Sequence, residues 1–540
     1  MNSHTSAPAE APGGTLVAGP TAADREDRPT RWRLPSGWPL FPVLIVQALL
    51  SLRLVWADTA YQDEGLDLWA GHLQWANWLH GTAIPPLPYF FSGAPVIYPP
   101  LGALADHIGG LTAARVLSLV FMLAATTLLW SAARQQYGRR AAFFAAALFA
   151  VLGPTLHLGA FATYDALSLF FVALAAWCVL RVGDRGEAPG RMIAAGAALA
   201  LANATSYSTI LFDVLVPVLA VLAAFPALGG RIAFRRAAIL LTTVIAFLVA
   251  GLLIGGNSYL SGFKRTILAP VAHTNSPLSV LSSSWYWAGL LVVLAVAGVV
   301  FSAVRRQGRA RTWLLAILAA AAILGPAEQA WLHTAALLNV HVGLGAWFAA
   351  IPAGYAVDRF IAAAPAGRQQ AFTSATCVIA LVFPVYLGTV QSWSFATSWP
   401  NAKAFIAVLR PLAGSGHGRL LVEDPSVAKY YLPAGREWRR WSSTRNIVLP
   451  SGASTGNPAD TAGIVAAGNA ATFAKYIRKG YFSYVALNFT DTSPLDHGLA
   501  TLLHHNPHYH TIQVVPYGIE VPPLGQGTYV IWKYEARPTR

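Results

Sequence analysis

The chain has 540 residues, 55% of them hydrophobic and only 11% charged, with a mean hydropathy of +0.49. A water-soluble domain carries about 25% charged residues, so water is excluded as the main solvent. The formal net charge of +14 does not point to nucleic acid, because most arginines fall in short runs between apolar segments and none interleaves with aromatics as in a nucleic-acid groove.

The first 37 residues, rich in Ala, Pro, Gly and Thr, read as a disordered cytoplasmic tail. The first apolar stretch comes late and is long enough to span, which is not the layout of a cleavable signal. A crossing needs about twenty mostly apolar residues. Candidate spans are Leu40–Trp56, Thr112–Ser131, Ala141–Leu158, Tyr164–Leu180, Met192–Ser206 and Ile210–Leu228. They continue with Ala237–Gly255, Trp285–Val304, Trp313–Leu324, Val340–Val357 and Phe372–Gln391. The expected fold class is an all-α polytopic membrane protein of about eleven helices followed by an α/β domain. Residues 38–391 would form the transmembrane part, with a first outside loop at 57–111, and 392–540 the extracytoplasmic domain.

Orientation follows from the basic residues. With the tail and its Arg25, Arg28, Arg31 and Arg33 in the cytoplasm, the alternate loops carry Arg134/Arg139/Arg140, Arg181/Arg185/Arg191 and Arg231/Arg235/Arg236. Arg305/Arg306/Arg309/Arg311 and Arg359/Arg368 follow on the same side. The opposite loops are nearly free of Lys and Arg, apart from Lys264 and Arg265. The two cysteines, Cys178 and Cys377, fall inside spans, so a disulfide is not expected and a cysteine metal site is excluded.

The first outside loop holds Asp58, Asp63, Glu64, Asp67 and Asp106 and no Lys or Arg. After Tyr61-Gln62-Asp63-Glu64-Gly65 comes helical periodicity, with Leu66, Trp69, Leu73, Ala76 and His80 on one stripe. A Trp-rich amphipathic helix of this kind is expected to lie in the membrane interface, with its paired carboxylates at the level of lipid phosphates. Beyond the last span, strands are expected at Arg419–Glu423, Phe482–Leu487, His510–Val515 and Thr528–Tyr534. Helices are expected at Asn401–Leu412, Ala470–Lys479 and Pro494–His505. There is no G-x-G-x-x-G, P-loop or D-x-D, so no nucleotide or metal-dependent nucleotide-sugar site is marked.

Asp63-Glu64 directly after the first span, followed by an interfacial helix, resembles the GT-C superfamily of polyprenyl-phosphate-sugar transferases. The protein O-mannosyltransferase and aminoarabinose transferase branch is the nearest. Ala114-Arg115-Val116-Leu117-Ser118, Tyr137-Gly138-Arg139-Arg140-Ala141-Ala142 and Thr163-Tyr164-Asp165-Ala166-Leu167 are similar to that branch in order and placement. The resemblance covers roughly the first 180 residues well and the remaining spans in outline. It implies a plasma-membrane glycosyltransferase, a hexosyltransferase of the cell envelope. Sugar would pass with inversion from a polyprenyl-phosphate donor to a hydroxyl of a protein, glycan or lipid acceptor.

In that reading Asp63 is the general base, where the competing role is a helix N-cap. Glu64 orients Asp63 or the acceptor, or serves only the helix dipole. Asp165 contacts the acceptor or caps its helix, and Tyr164 packs. Arg115, a turn inside the second span, binds the donor phosphate or snorkels to headgroups. Lys264 and Arg265 clamp a phosphate or simply attract anionic lipid. No metal is required, since the leaving group is a phosphomonoester. A divalent ion held by Glu64, Glu328, His333 and His341 is the alternative, and the histidines from His504 to His510 straddle a helix end and a strand rather than one face. The rivals are a transporter or flippase of a lipid-linked sugar and a non-catalytic envelope scaffold. Acids clustered at one surface, rather than at the midplane, weigh against transport.

Overall fold

A computed structural model describes residues 39–182, 189–264, 275–335, 337–414, 416, 418–449, 465–490, 492–518 and 526–536. The tail with its four arginines, Arg185 and Arg265 lie outside the described residues.

The first part of the chain is helical. In order come α1 (Leu40–Val55), α2 (Gln62–His80), α3 (Tyr98–Tyr137), α4 (Arg139–Ala150), α5 (Gly153–Leu158), α6 (Asp165–Val182) and α7 (Pro189–Thr205). Then come α8 (Phe212–Phe263), α9 (Pro277–Val304), α10 (Arg309–Trp331), α11 (Leu338–Ala363), α12 (Arg368–Ala380) and α13 (Val382–Ala396). Each apolar segment expected to span falls on one or two of these helices. Among the described residues, six continuous helical stretches are long and apolar enough to cross a bilayer, and α1 is a shorter apolar helix.

Two segments depart from simple spans. The third breaks into α4 and α5 because Pro154, which has no N–H for the helical ladder, sits in the first turn of a new helix. Within α8, Gly229 adopts φ 74°, a conformation open to glycine, and divides the sixth candidate span from the seventh.

Side-chain exposure shows which surface faces lipid. On α1, Phe41, Ile45 and Leu49 form an exposed i, i+4, i+8 stripe, while Val43, Gln47, Ser51 and Leu54 are buried on the other side. Helix α11 is enclosed on nearly all sides and packs against α9, α10 and α4. The basic loops meet at one end of the bundle. There Arg140 Nε donates to Asp358 Oδ1 at 2.6 Å, Gln135 Nε2 to the Arg181 carbonyl at 2.7 Å, and Arg311 Nη2 to the Gln136 carbonyl at 3.3 Å.

The C-terminal part forms at the other end. Its helices are α14 (Lys403–Gly414), α15 (Ser426–Tyr431), α16 (Ala470–Arg478) and α17 (Ser493–His504). Its strands are β1 (Leu420–Val422), β2 (Trp441–Ser442), β3 (Asn446–Val448), β4 (Val465–Ala467), β5 (Tyr484–Leu487), β6 (Tyr509–Gly518) and β7 (Gln526–Tyr534). The main sheet runs β2-β1-β5-β7-β6, with β2, β1 and β5 parallel and β7 antiparallel to both its neighbours; β3 and β4 pair separately. Alternation along β1 sends Leu420 and Val422 to the face covered by Phe405, Ile406 and Leu409 of α14. Leu421 points to the opposite face, under Phe473 and Ile477 of α16 and Leu499 and Leu503 of α17. All four expected strands and all three expected helices form. The short elements α15, β2, β3 and β4 have too little periodicity to be read in advance.

Candidate functional site

Helix α2 follows α1 after a short connection, residues 56–61, and its first turn is fixed by one buried ion pair. Arg115 Nε and Nη2 donate to the two oxygens of Glu64, each at 2.7 Å. Glu64 Oε1 also accepts from the Ala162 amide at 2.8 Å, and Oε2 from the Tyr61 amide at 2.9 Å. The remaining guanidinium hydrogens go to backbone carbonyls: Nη1 to Val55 at 2.6 Å and Asp58 at 3.1 Å, Nη2 to Thr59 at 3.1 Å. Arg115 is 1% exposed and Glu64 not exposed at all.

Two expectations are thereby corrected. Arg115 does not offer itself to a donor phosphate, because all five of its N–H groups are spent inside the protein. Glu64 does not face a reactant, because four donors and complete burial enclose its carboxylate. Together they bind the exit of α1, the start of α2 and the turn before α6 into one unit.

Asp63, one residue earlier, faces the other way. It lines a cavity of about 110 Å³ with Tyr61, His157, Thr163, Asp165 and Trp399. Asp165 opens α6, is 5% exposed, and accepts a 2.9 Å hydrogen bond from Thr163 Oγ1. Leu337, Asn339 and Val340, at the first turn of α11, complete the wall. The structure thus brings Asp63 and Asp165 to one cavity from segments a hundred residues apart in sequence.

Asp67 lies one turn after Asp63 on α2 and is a further acid of the site. It is 1% exposed, and the Tyr164 backbone is its hydrogen-bonding neighbour. Burial, with Asp63 and Asp165 adding like charge, pushes its pKa well above the usual carboxylate range. The i, i+4 spacing of Asp63 and Asp67 is the signal that would have found it.

Helix α2 is held between the bundle and the C-terminal domain. Only its C-terminal end, with Trp78 and Leu79, is exposed; the first half is covered by the C-terminal domain. Gly65 permits this contact, since a Cβ there would stand 3.0 Å from the Ser426 carbonyl oxygen of α15. Trp69 Nε1 donates to the Gly435 carbonyl at 2.8 Å, and Lys429 Nζ lies 4.5 Å from the Trp69 ring centroid. Burial pushes the Lys429 ammonium down to about 8, opposed by nearby Asp424. Tyr430 Oη donates to Asp106 Oδ1 at 2.6 Å, and Asp106 Oδ2 lies 2.6 Å from His72 Nε2.

The other candidates fall elsewhere. Lys264 is exposed at the end of α8 and does not line the cavity, and Arg265 lies outside the described residues. Tyr164 packs among Trp69, Leu73 and Leu87. The metal grouping of Glu64, Glu328, His333 and His341 does not assemble. His341 Nδ1 stands 2.9 Å from Glu328 Oε2, but His333 sits on an exposed turn and Glu64 is held by Arg115. Among the described residues no three His, Cys, Asp or Glu side chains stand together as a metal site, the His504–His510 stretch included.

The family model for dolichyl-phosphate-mannose-protein mannosyltransferase matches residues 103–254. No curated protein sequence matches the chain. ArnT from Cupriavidus metallidurans in the apo state superposes with a TM-score of 0.58 at 16% identity, covering 92% of this chain and 98% of that one. The same enzyme bound to undecaprenyl phosphate gives 0.58 at 15% identity, covering 94% and 100%. The archaeal oligosaccharyltransferase AglB from Archaeoglobus fulgidus, in complex with an inhibitory peptide and a dolichol-phosphate, gives 0.53 at 13% identity, covering 91% and 74%. The chain is therefore a multi-pass membrane protein with the fold of the GT-C glycosyltransferases, resembling their protein O-mannosyltransferase and aminoarabinose transferase branch.

Proposed function

We propose that this protein transfers a sugar from a polyprenyl-phosphate donor to an acceptor hydroxyl, with inversion, on the extracytoplasmic face of the plasma membrane. The observation that carries the reading is the cavity shared by Asp63 and Asp165, at the end of the bundle away from the basic loops. In a single displacement the acceptor oxygen bonds to the anomeric carbon and gives its proton to the Asp63 carboxylate. The bond from that carbon to the phosphate oxygen breaks, and its electron pair leaves with polyprenyl phosphate. Asp165 orients the acceptor. The first turn of α11, with the positive end of the helix dipole, favours the charge growing on the leaving phosphate.

Because the leaving group is a phosphomonoester, the reaction requires no resident metal. Positive charge in the loops distal to the cavity supports a cytoplasmic N-terminus and an outside C-terminal domain.

Purified protein given radiolabelled polyprenyl-phosphate-mannose and related donors tests the reading. Wild type should release or transfer sugar, and Asp63→Asn should lose about 10²–10⁴-fold of that activity while inserting and folding normally. Equal activity in the variant would remove Asp63 from the mechanism. Failure of wild type to bind or consume any donor would overturn the transferase reading itself.

A further inference from the structure

A second cavity, of about 190 Å³, lies between the start of α2 and the C-terminal sheet. Its floor is the carboxyl ends of the parallel neighbours β1 and β5, where open α/β sheets offer a crevice to ligands. Tyr61, Ser398 and Trp399 line this cavity and also the Asp63 cavity, so the two share a wall. The Tyr61 and Trp399 ring centroids in that wall are 5.2 Å apart.

The lining selects for one kind of ligand. Tyr61, Trp399 and Tyr529 offer aromatic surface, while Gln62 and Asp424 offer hydrogen-bonding groups; the Asn488 amide is turned onto Glu423 and Thr490. Among the described residues no Lys or Arg lines it, and two carboxylates, Glu423 and Asp424, do. A phosphate or carboxylate ligand would be repelled; a neutral polyol would be held, its hydroxyls donating to Asp424 and its C–H faces lying on the rings. Asp424 Oδ1 accepts from the Ser426 amide at 2.7 Å, and its other oxygen makes no hydrogen bond among the described residues.

Glu423 plays a different part. Its carboxylate accepts from the amides of Asn488, Phe489 and Thr490 at 2.6–2.8 Å, which fixes the loop leaving β5 before any ligand arrives. Size points the same way, since pockets for drug-sized molecules span about 300–1,000 Å³ and this one suits a single sugar ring. A peptide would pair with a strand edge, whereas the cavity opens at strand ends.

We infer that the cavity at the carboxyl ends of β1 and β5 is a saccharide subsite for the acceptor, so that the hydroxyl glycosylated belongs to a glycan or glycoside rather than to a protein Ser or Thr. This rests on the transferase reading for the word acceptor, but the subsite itself is testable by binding alone.

Full-length protein in detergent, probed by saturation-transfer NMR and titration calorimetry, should bind one or more methyl glycosides of hexoses or pentoses. Asp424→Asn, which keeps an oxygen for the Ser426 amide, and Gln62→Ala should each weaken that binding about tenfold. In transfer assays the same two variants should raise the glycoside KM by a similar factor. Wild type that binds no glycoside, or variants that bind it as well as wild type, would overturn the subsite. So would transfer to a Ser/Thr peptide with none to glycosides. Glycoside binding that depends on Asp424, in a protein that consumes no donor, would leave the saccharide site standing and remove the transferase reading.

Discussion

Arg115 and Glu64 form a two-point ion pair, both contacts at 2.7 Å, with neither side chain reaching solvent. Removing one partner of a buried pair leaves an uncompensated charge and costs about 3–5 kcal/mol. Arg115 also serves the Val55, Asp58 and Thr59 carbonyls, so Arg115→Met should cost more than Glu64→Gln. Arg115→Lys should rescue little, since an ammonium cannot span both carboxylate oxygens. Thermal unfolding of the purified variants measures the order. A stable Arg115→Met protein with impaired donor binding would instead restore Arg115 as a phosphate ligand.

Asp67 carries a pH signature. Its folded-state pKa is raised by burial and by Asp63 and Asp165, so the folded protein holds a proton that the unfolded chain gives up from about pH 4. Above that pH the folded state binds more protons than the unfolded state, and stability falls as pH rises toward the folded pKa. Asp67→Asn removes this dependence. It should stabilise the protein near neutral pH and lose the advantage below about pH 4, read as the midpoint difference across a pH series. An advantage unchanged with pH would show that Asp67 is ionised in the fold.

How much of this was legible in the sequence depends on the kind of interaction. Apolar runs and charge placement reach the structure almost unaltered, because lipid imposes one dominant constraint, and α2 was readable from its stripe and its acids. The roles of Glu64 and Arg115 were not. An arginine in an apolar segment looks like a ligand for phosphate until its carbonyl partners are known, and Val55, Asp58 and Thr59 turn toward it only through the path of the chain between α1 and α2. Asp63 and Asp165 could be named separately, but their common cavity depends on how α6 and α11 pack. The cover over α2 was invisible for another reason: α15 is six residues long, and its contact at Gly65 is backbone against backbone, which leaves no side-chain pattern.

The junction between loop and domain should weaken when Tyr430 loses its hydroxyl. Tyr430→Phe deletes the 2.6 Å hydrogen bond to Asp106 while leaving Asp106 its contact with His72. A hydrogen bond to a charged group is worth about 1.5–3 kcal/mol, and loss of that order should appear as a lower unfolding midpoint and faster tryptic cleavage of the C-terminal domain. No change in either would mean that the packing of α15 on α2, through Gly65 and Trp69, carries the junction unaided.

Chelation should leave catalysis intact. A metal-dependent transferase needs the ion to neutralise a leaving group of high charge, whereas a phosphomonoester can be met by helix dipole and basic side chains. The residues considered for an ion are committed elsewhere: Glu64 to Arg115, His341 to Glu328 and Gln329, and His333 to the Asn275 carbonyl at 3.2 Å. Donor consumption measured before and after exhaustive EDTA treatment should therefore agree, and added manganese or magnesium should not raise it. Activity lost on chelation and restored by one divalent ion would require a ligand set outside these groups, with Asp63, Asp165 and the buried Asp67 the first carboxylates to test by substitution to asparagine.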